Sequence, residues 1–254
     1  MSSAKFALFN LKRISTRWST LISSVVLPVV FYLIFSSATQ QTDAEFGNGN
    51  VAAYVMVGMA LYGGITGAVS TASNAVVENI TGWGRTLALT PLRSSQIMGA
   101  RLLLIAVHAV LPVAAVFLTG ALFNAEMQPN AWWQTFLLTS LLSLPFGFYG
   151  LVWAQALKTP ASVSIATMSV VVLGFAANMF VPLSGAMLQA ARFTPLYGAA
   201  VLTRYPLTEG AQVTNDGDQL VTDPLWWAIV SAIVWSIIFA GASMMLDRRE
   251  KGRE

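Results

Sequence analysis

A chain of 254 residues in which 56% are hydrophobic and only 10% are charged is too apolar for the surface of a water-soluble domain. The absence of cysteine excludes disulfides, thiol catalysis and thiolate metal sites, and a single histidine excludes any paired-histidine metal motif. The net charge is +3, and the basic residues behind it are concentrated in particular loops. We therefore interpret the positive charge as a signal of membrane topology and predict no nucleic-acid binding.

Six apolar segments are each long enough to supply the ~20 residues that cross the hydrocarbon core of a bilayer. We therefore predict an all-α integral membrane protein with six transmembrane helices, folded as a single transmembrane domain over residues 1–254. The predicted spans run roughly over residues 21–38, 51–74, 98–123, 132–157, 162–181 and 225–246.

The basic residues orient these spans. If the N-terminus lies in the cytoplasm, all 14 basic residues except Arg192 and Arg204 fall on the cytoplasmic side. Cytoplasmic loops of membrane proteins are enriched in Lys and Arg. We therefore predict a multi-pass protein of the plasma membrane with both termini in the cytoplasm.

The leader ahead of the first span, residues 3–19, is too polar to cross a membrane. Ala4, Leu8, Leu11 and Trp18 recur at helical spacing, with basic residues to one side. This pattern favours an amphipathic helix that lies in the headgroup layer. A solvated basic leader that only sets the orientation is the alternative interpretation.

The second span is rich in small residues, and Gly63 and Gly67 form a small-xxx-small pair that allows helices to pack closely. Packing within one subunit explains this pair as well as contact between subunits does. The connection that follows, residues 75–97, is half apolar, although glycines and a proline interrupt it. Exposed apolar side chains indicate a partner or the membrane surface, so we predict a partner-binding loop, with a loop lying on the headgroups as the alternative.

His108 falls inside the predicted third span and has no acidic partner in a neighbouring span. We therefore predict a neutral imidazole that is hydrogen-bonded to helix backbone. Tryptophan pairs open the fourth and sixth spans and predict an aromatic belt at the outer interface. These pairs are Trp132 with Trp133 and Trp226 with Trp227.

Residues 182–224 form the longest outer connection. The first half is amphipathic and is divided by prolines, which predicts one or two short helices that dip into the outer leaflet. The second half, around residues 208–223, is polar and acidic, and we predict that it is mobile.

Several motifs are missing from the chain. It contains no G-x-x-x-x-G-K-[ST] sequence for nucleotide phosphates, no H-E-x-x-H and no G-x-S-x-G. The predicted spans hold almost no carboxylates, which ion-coupled carriers need as coupling sites. If the protein moves a solute, we expect its energy to come from another subunit.

Two stretches carry a resemblance to a known family. In the first inner loop an acidic–Gly–Leu–Thr-Pro-Leu pattern is formed by Glu78, Gly82, Leu87, Thr90, Pro91 and Leu92. After the fifth span a second pattern is formed by Met187, Leu188, Gln189, Ala191, Arg192, Phe193, Pro195, Leu196, Tyr197 and Arg204. With its basic leader and six spans, the chain resembles the membrane-spanning permease subunit of type-2 ATP-binding-cassette exporters. It departs from the family where Met187 replaces the usual Trp and where an Arg-Glu pair before Gly82 is missing.

The resemblance implies a separate cytoplasmic ATPase subunit, which would hold ATP and Mg, so this chain is expected to bind no cofactor and to catalyse no reaction. It also implies a second permease, identical or paralogous, in an assembly of two permeases and two ATPases. The residues expected to couple to the ATPase are Glu78, Gly82, Arg85, Leu87, Pro91, Arg93 and Lys158.

By the same resemblance, substrate moves along the interface of the two permeases, between the second and fifth spans. The expected path residues are Gly63, Thr66, Ser70, Asn74, Thr167 and Asn178, and the expected outer-gate residues are Gln189, Arg192, Phe193, Pro195 and Tyr197. A weakly polar, uncharged path suits an amphipathic or lipid-like cargo, such as a drug, an antibiotic peptide or a lipid, moved out of the cell.

Three other functions remain as alternatives. An accessory sensor or immunity subunit would bind a membrane-active compound without transporting it. A membrane enzyme acting on lipids would need clustered catalytic side chains, which the sequence does not show. A small secondary carrier would be indicated by a repeat between the first and last three spans, and none is visible.

Overall fold

Helices dominate the fold because a backbone that crosses hydrocarbon must satisfy its own hydrogen bonds. The structure, a computed structural model, describes residues 22–38, 44–82, 94–215 and 220–251. Within these ranges the chain forms nine α-helices and two short antiparallel hairpins. The predicted all-α membrane fold is therefore confirmed, whereas the predicted interfacial helix, residues 3–19, lies outside the described residues.

The helices are α1 (Leu27–Ala38), α2 (Val51–Ile80), α3 (Ser94–Leu122), α4 (Pro129–Ser143), α5 (Phe146–Leu157), α6 (Ala161–Ala176), α7 (Gly185–Ala191), α8 (Tyr197–Thr208) and α9 (Leu225–Lys251). A π-helical turn over Ile22–Val26 precedes α1. One hairpin pairs β1 (Glu45–Phe46) with β2 (Gly49–Asn50), and the other pairs β3 (Ala211–Val213) with β4 (Leu220–Thr222).

Four stretches of the described chain are long and apolar enough to cross a membrane. They are Val51–Ile80, Ser95–Leu122, Pro129–Leu157 and Leu225–Arg249. The other two predicted spans correspond to shorter apolar helices, Ser24–Ser37 and Ala161–Ala176. Four of the six predicted spans thus correspond to helical stretches of spanning length.

The predicted fourth span, 132–157, is two helices rather than one. Helix α4 ends at Ser143 and α5 begins at Phe146, with Leu144 and Pro145 between them. Proline has no N–H group to donate, and its ring collides with the carbonyl one turn earlier. The break therefore lies at a residue that removes one of the backbone hydrogen bonds of the helix.

Two other predicted boundaries also move. Helix α2 continues to Ile80, six residues beyond the predicted end at residue 74. Helix α6 stops at Ala176 rather than at residue 181, because Asn178 adopts a left-handed backbone with φ 56°. Asparagine tolerates that conformation better than most residues, and it commonly ends a helix.

Helix α2 occupies the centre of the subunit. Among the described elements it packs against α1, α3, α4, α5, α6 and α8, and its apolar midsection is almost completely buried. Gly67 lies against the His108 carbonyl of α3, and a Cβ on Gly63 would come within 3.0 Å of Pro28 and Pro112. The small-xxx-small pair therefore serves packing within one subunit, the first of the two predicted explanations.

The imidazole of His108 is buried in the contact between α2 and α3. Its Nδ1 atom lies 2.9 Å from the carbonyl oxygen of Leu104, one turn earlier in the same helix. A carbonyl can only accept, so Nδ1 carries the hydrogen. The predicted hydrogen bond from the imidazole to helix backbone is therefore confirmed.

The surface of the bundle is apolar on its membrane-facing helices. Leu102, Leu118 and Leu122 of α3 are more than half exposed, as are Ile233 and Ile237 of α9. Exposed leucine and isoleucine along a spanning helix meet lipid rather than water. Helix α9 is the most peripheral of the four long stretches, since most of its apolar residues are exposed.

Candidate functional site

One end of the bundle is closed by polar connections, and we call it the capped end. It consists of residues 44–50, 123–128, 177–215 and 220–224. The opposite end carries the C-terminal turn of α2, the first turn of α3 and the connection between α5 and α6. Tyr32 of α1 donates a hydrogen bond of 2.6 Å to the carbonyl of Phe123 and so ties α1 to the capped end.

Asn50 is the N-cap of α2 and also joins two connections. Its Oδ1 atom accepts from the backbone N–H of Ala53 at 2.9 Å and from that of Glu126 at 3.1 Å. Its Nδ2 atom donates to the carbonyl of Asn124 at 2.7 Å. One buried side chain therefore caps α2 and fixes it to the turn after α3.

The β1–β2 hairpin fits tightly under α8. The backbone N–H of Asn48 donates to the carbonyl of Leu207 at 2.7 Å, and Asn48 Nδ2 donates to that of Pro206 at 3.1 Å. Gly47 has φ 60°, and any Cβ there would collide with the Leu207 carbonyl. Glycine is required at this position for both reasons.

Arg204 of α8 is the largest fully buried side chain in the described part of the chain. Its guanidinium carbon lies 3.8 Å from the centre of the Tyr54 ring, and Nη1 donates to the Tyr54 hydroxyl at 2.9 Å. Nη1 also donates to the carbonyl of Asn178 at 3.3 Å, and Nη2 donates to that of Met179 at 3.2 Å. Arg204 therefore connects α8, α2 and the end of α6.

These contacts leave the charge of Arg204 without a counter-ion among the described residues. Guanidinium has five N–H donors, three of which are used here, and Nε has no partner. Burial lowers the pKa of the Arg204 guanidinium from its ordinary value, yet arginine stays protonated in proteins. A buried cation balanced by neutral oxygens and a ring face is an electrostatically costly arrangement.

Asn178 and Gly58 shape the space around Arg204. Asn178 Oδ1 accepts from the N–H of Leu183 at 2.6 Å, and its Nδ2 donates to the carbonyl of Val213 at 3.2 Å. Gly58 of α2 lies against Arg204 Nη2, and a Cβ there would collide with it. The left-handed Asn178 turns the chain so that two carbonyls face the guanidinium.

A second cluster joins the predicted outer gate to the start of α9. Arg192 Nη2 forms an ion pair of 2.8 Å with Asp223 Oδ1, and the Tyr197 hydroxyl donates to Asp223 Oδ2. Asp223 is only 2% exposed. Burial and the hydrogen bond to Asp223 raise the pKa of Tyr197 well above its ordinary value. Here the buried charge has a partner of opposite sign.

The predicted gate residues lie close together. Gln189 Oε1 accepts from Arg192 Nη1 at 3.0 Å, and the rings of Phe193 and Trp227 meet edge-to-face at 5.7 Å. Gln189, Arg192 and Phe193 line a cavity of about 260 Å³ with Asp223 and the Trp226–Trp227 pair. Tyr197 reaches the cluster through Asp223, while Pro195 lines a separate small cavity next to Phe146 and Trp235.

Asp223, Tyr54 and Arg204 are functional candidates that the sequence-based site did not include. In the stretch around 208–223, which was predicted to be mobile, the described residues form β3 and β4 and bury the side chains of Gln212 and Asp223. Two signals were available: Arg204 belongs to the second family-like pattern, and Asp223 stands directly before a proline and the last span. Such a place suits an acid that fixes the start of a helix.

The predicted path residues separate into three groups. Gly63, Thr66 and Ser70 are buried inside the subunit against neighbouring helices. Asn74 and Thr167 are half-buried, and Thr167 Oγ1 donates to the carbonyl of Val163 at 3.0 Å. Asn178 belongs to the capped end. Their participation in a path stays a prediction.

Of the predicted coupling residues, Arg85, Leu87, Pro91 and Arg93 lie outside the described residues. Glu78 lies in the last turn of α2, and Gly82, with φ 98°, follows the helix end. Lys158 ends α5 in a left-handed conformation with φ 52°. These described residues all lie at the opposite end of the bundle.

The two helices that flank the predicted coupling loop, residues 78–93, are joined by their side chains. Arg101 Nη2 of α3 donates to Asn79 Oδ1 of α2 at 2.7 Å. Thr81 Oγ1 donates to the carbonyl of Val77 at 2.9 Å and closes the last turn of α2. In the described ranges no three His, Asp or Glu side chains converge in a way that could hold a metal ion.

This combination of a multi-pass helical bundle and a polar cap defines the chain as an integral membrane protein. The family described as ABC-2 family transporter protein matches residues 39–245, and the chain belongs to that family. Its members are membrane components of ATP-binding-cassette transporters and work with an ATP-binding-cassette partner. No curated protein matches the chain.

Proposed function

We propose that this chain is the membrane-spanning subunit of an ATP-driven exporter that moves an amphipathic or lipid-like substrate out of the cell. ATP and Mg would be bound by a separate cytoplasmic ATPase subunit, and two permeases would work with two ATPases. The observation that carries the proposal is the course of α2, which runs unbroken between the predicted coupling loop and the capped end.

Helix α2 is suited to transmit movement. Its 30 residues extend over about 45 Å at 1.5 Å per residue. At one end lie Glu78 and Asn79, and at the other lie Asn50, Tyr54 and Gly58, which contact the capped end. A helix packed on all sides moves as a unit, so displacement of the coupling loop would alter the Arg204 and Asn50 contacts.

Export as the direction of transport rests on the family resemblance alone, and the predicted topology only orients the two ends of the bundle. In that orientation the opposite end faces the cytoplasm and the ATPase, whereas the capped end faces outward. ATP binding would bias two states of the permease pair by differential contacts at the coupling loop. The path residues are uncharged, which supports an amphipathic cargo rather than an ion.

The second permease would contact the half-buried positions. Asn74 of α2 and Thr167 of α6 are polar residues that are partly accessible in the single subunit. A path between two copies would run along such positions. Gly63, Thr66 and Ser70 would line it only in a state in which α2 separates from its present neighbours.

The test is to purify the tagged protein in mild detergent and to identify its partners by mass spectrometry. We expect a stoichiometric soluble ATPase that is lost in the double variant Glu78→Ala, Arg85→Ala. Arg249→Ala removes an exposed charge at the same end and is the matched control, which should keep the ATPase. Wild-type protein that carries no ATPase would overturn the proposal and favour the sensor alternative.

A further inference from the structure

A cavity of about 220 Å³ lies beside Arg204 at the capped end. Its apolar wall includes Phe35 of α1, Met59 of α2 and Phe180. Its polar wall is formed by Arg204, Tyr54 and Asn178. The cavity therefore has one charged end and an apolar remainder, which is the division found in an amphiphile.

Among the described residues the Arg204 charge at this cavity has no carboxylate partner, in contrast to the Arg192 charge at the neighbouring site. Arg192 faces the buried carboxylate of Asp223, so its cavity is already close to neutral. Arg204 has only a hydroxyl, two carbonyls and a ring face as partners in the described part of the chain, and its Nε donor is unused. The amide nitrogen of Gln212, whose oxygen lies 3.4 Å from the Tyr54 hydroxyl, is also buried without a partner.

Unused buried donors around a cation favour an anion. A hydrogen bond to a charged group is roughly twice as strong as one between neutral groups, and guanidinium is suited to carboxylate and phosphate oxygens. An anion that reached Arg204 would neutralise a charge that the described residues leave unbalanced. The chemistry of this wall therefore selects a negative headgroup.

The remainder of the cavity decides between a free anion and an amphiphile. Val181 and Pro182 line the mouth and are exposed, while Phe35 and Val55 are half-buried beside them. A mouth of exposed apolar residues on a membrane protein opens to lipid rather than to water. At about 220 Å³, below the ~300–1,000 Å³ of typical ligand pockets, the cavity would hold the headgroup and first carbons of a chain.

We propose that this cavity binds an anionic amphiphile from the bilayer, with its phosphate or carboxylate at Arg204 and its chain leaving past Val181. The site goes beyond the exporter function and does not depend on it. It requires only the contacts of α2, α8 and the residues after α6. Binding would also hold these three segments together at the capped end.

The test is equilibrium binding to the full-length protein in neutral detergent without ATP, measured by calorimetry. The probes are dodecyl phosphate, dodecyltrimethylammonium and inorganic phosphate. We expect dodecyl phosphate to bind saturably and at least tenfold more tightly than the cation of equal chain length. Inorganic phosphate should bind at least tenfold more weakly than dodecyl phosphate, and equal binding of the two would overturn an amphiphile site.

Substitutions at two positions test the charged wall and the apolar mouth of the cavity separately. Arg204→Met removes the charge at similar length and should weaken dodecyl phosphate binding at least tenfold, whereas Arg204→Lys should retain part of the affinity. Val181→Trp fills the mouth while Arg204 is kept, and it should weaken binding to a similar extent. Val172→Trp adds the same bulk on exposed α6 surface away from the cavity and serves as the control.

Unchanged binding in Val181→Trp and Arg204→Met would overturn the proposal, and Val181→Trp decides alone if Arg204→Met does not fold.

The competing explanation is that a carboxylate of this chain, rather than a ligand, neutralises the charge of Arg204. The triple variant Asp43→Asn, Asp216→Asn, Asp218→Asn should bind dodecyl phosphate as the wild type does. A tenfold gain in affinity would identify an internal counter-ion and overturn the proposal that the native protein leaves the charge of Arg204 to a ligand. None of these measurements involves the ATPase, so their failure is distinct from failure of the exporter proposal.

Discussion

Arg204 Nη2 rests against the backbone of α2 at Gly58, where any side chain would occupy the place of the guanidinium. The contact joins a buried cation on α8 to the central helix of the subunit. It lies one turn from Tyr54, whose ring and hydroxyl both contact the same guanidinium. Gly58 is therefore a position at which a single methyl group should disturb the capped end.

We expect Gly58→Ala to destabilise the protein by about 1–3 kcal/mol, the usual range for overpacking a well-packed site. The same substitution in an open helical position should stabilise by about 0.5–1 kcal/mol, because alanine favours helix. Gly99 of α3 has no atom within 4 Å of a built Cβ and provides this control. Thermal unfolding in detergent measures both variants. Equal effects would show that the Gly58 contact is unimportant.

Asn50 should be more important than an ordinary helix cap, because it joins α2 to the turn after α3. Asn50→Ala is expected to cost about 3 kcal/mol, from a cap of about 1 kcal/mol and two further bonds of about 1 kcal/mol each. Asn50→Ser retains a cap acceptor but is too short to bridge to Asn124. It should therefore cost about 1 kcal/mol less. Equal losses in unfolding measurements would contradict the bridging role.

Tyr197 should make stability depend on pH in the alkaline range. Its pKa is raised in the folded protein, so its stabilisation is complete below the ordinary tyrosine pKa of about 10. Above that pH the unfolded chain ionises first, and stability is lost at up to about 1.4 kcal/mol per pH unit. Tyr197→Phe should remove this part of the slope. Unfolding of both proteins between pH 8 and 11 measures the difference, and parallel curves would exclude the effect.

The bond between Asn79 and Arg101 should affect coupling more than stability. It is exposed, so Asn79→Ala is expected to change the free energy of unfolding by no more than about 0.5 kcal/mol. If α2 and α3 hold the coupling loop, the variant should lower the ATP hydrolysis stimulated by the permease several-fold. Asn130→Ala, an exposed change at the capped end, is the control. ATPase activity that is equal in both variants would argue against this role.

The membrane class and the positions of the main helices could be predicted because long apolar runs have few other structural solutions. The bonding of His108 could also be predicted, since a helix offers its own carbonyl to a lone imidazole. The break at Pro145 was missed although proline is visible in the sequence, because prolines such as Pro112 are tolerated within a spanning helix. Composition does not distinguish these two outcomes.

The cap could not be predicted because its contacts join residues far apart in the chain. Arg204 and Tyr54 are separated by 150 positions, and Tyr197 and Asp223 by 26. Arg192 and Arg204 look alike in the sequence, as two basic residues in one outer segment. Only the fold shows that Arg192 faces a carboxylate, whereas Arg204 faces neutral oxygens. Pairing of this kind depends on tertiary packing rather than on local pattern.

The central position of α2 also affects the order in which the spans become stably inserted in the membrane. Among the four stretches of spanning length in the described chain, α2 is the least apolar and the most buried. A span gains stability in lipid in proportion to its apolar character, so α2 gains the least from entering the bilayer alone. Its hydroxyl and glycine positions need neighbouring helices before they are shielded. Stable insertion of α2 during synthesis is therefore expected to wait for α3 and α5, which emerge from the ribosome after it.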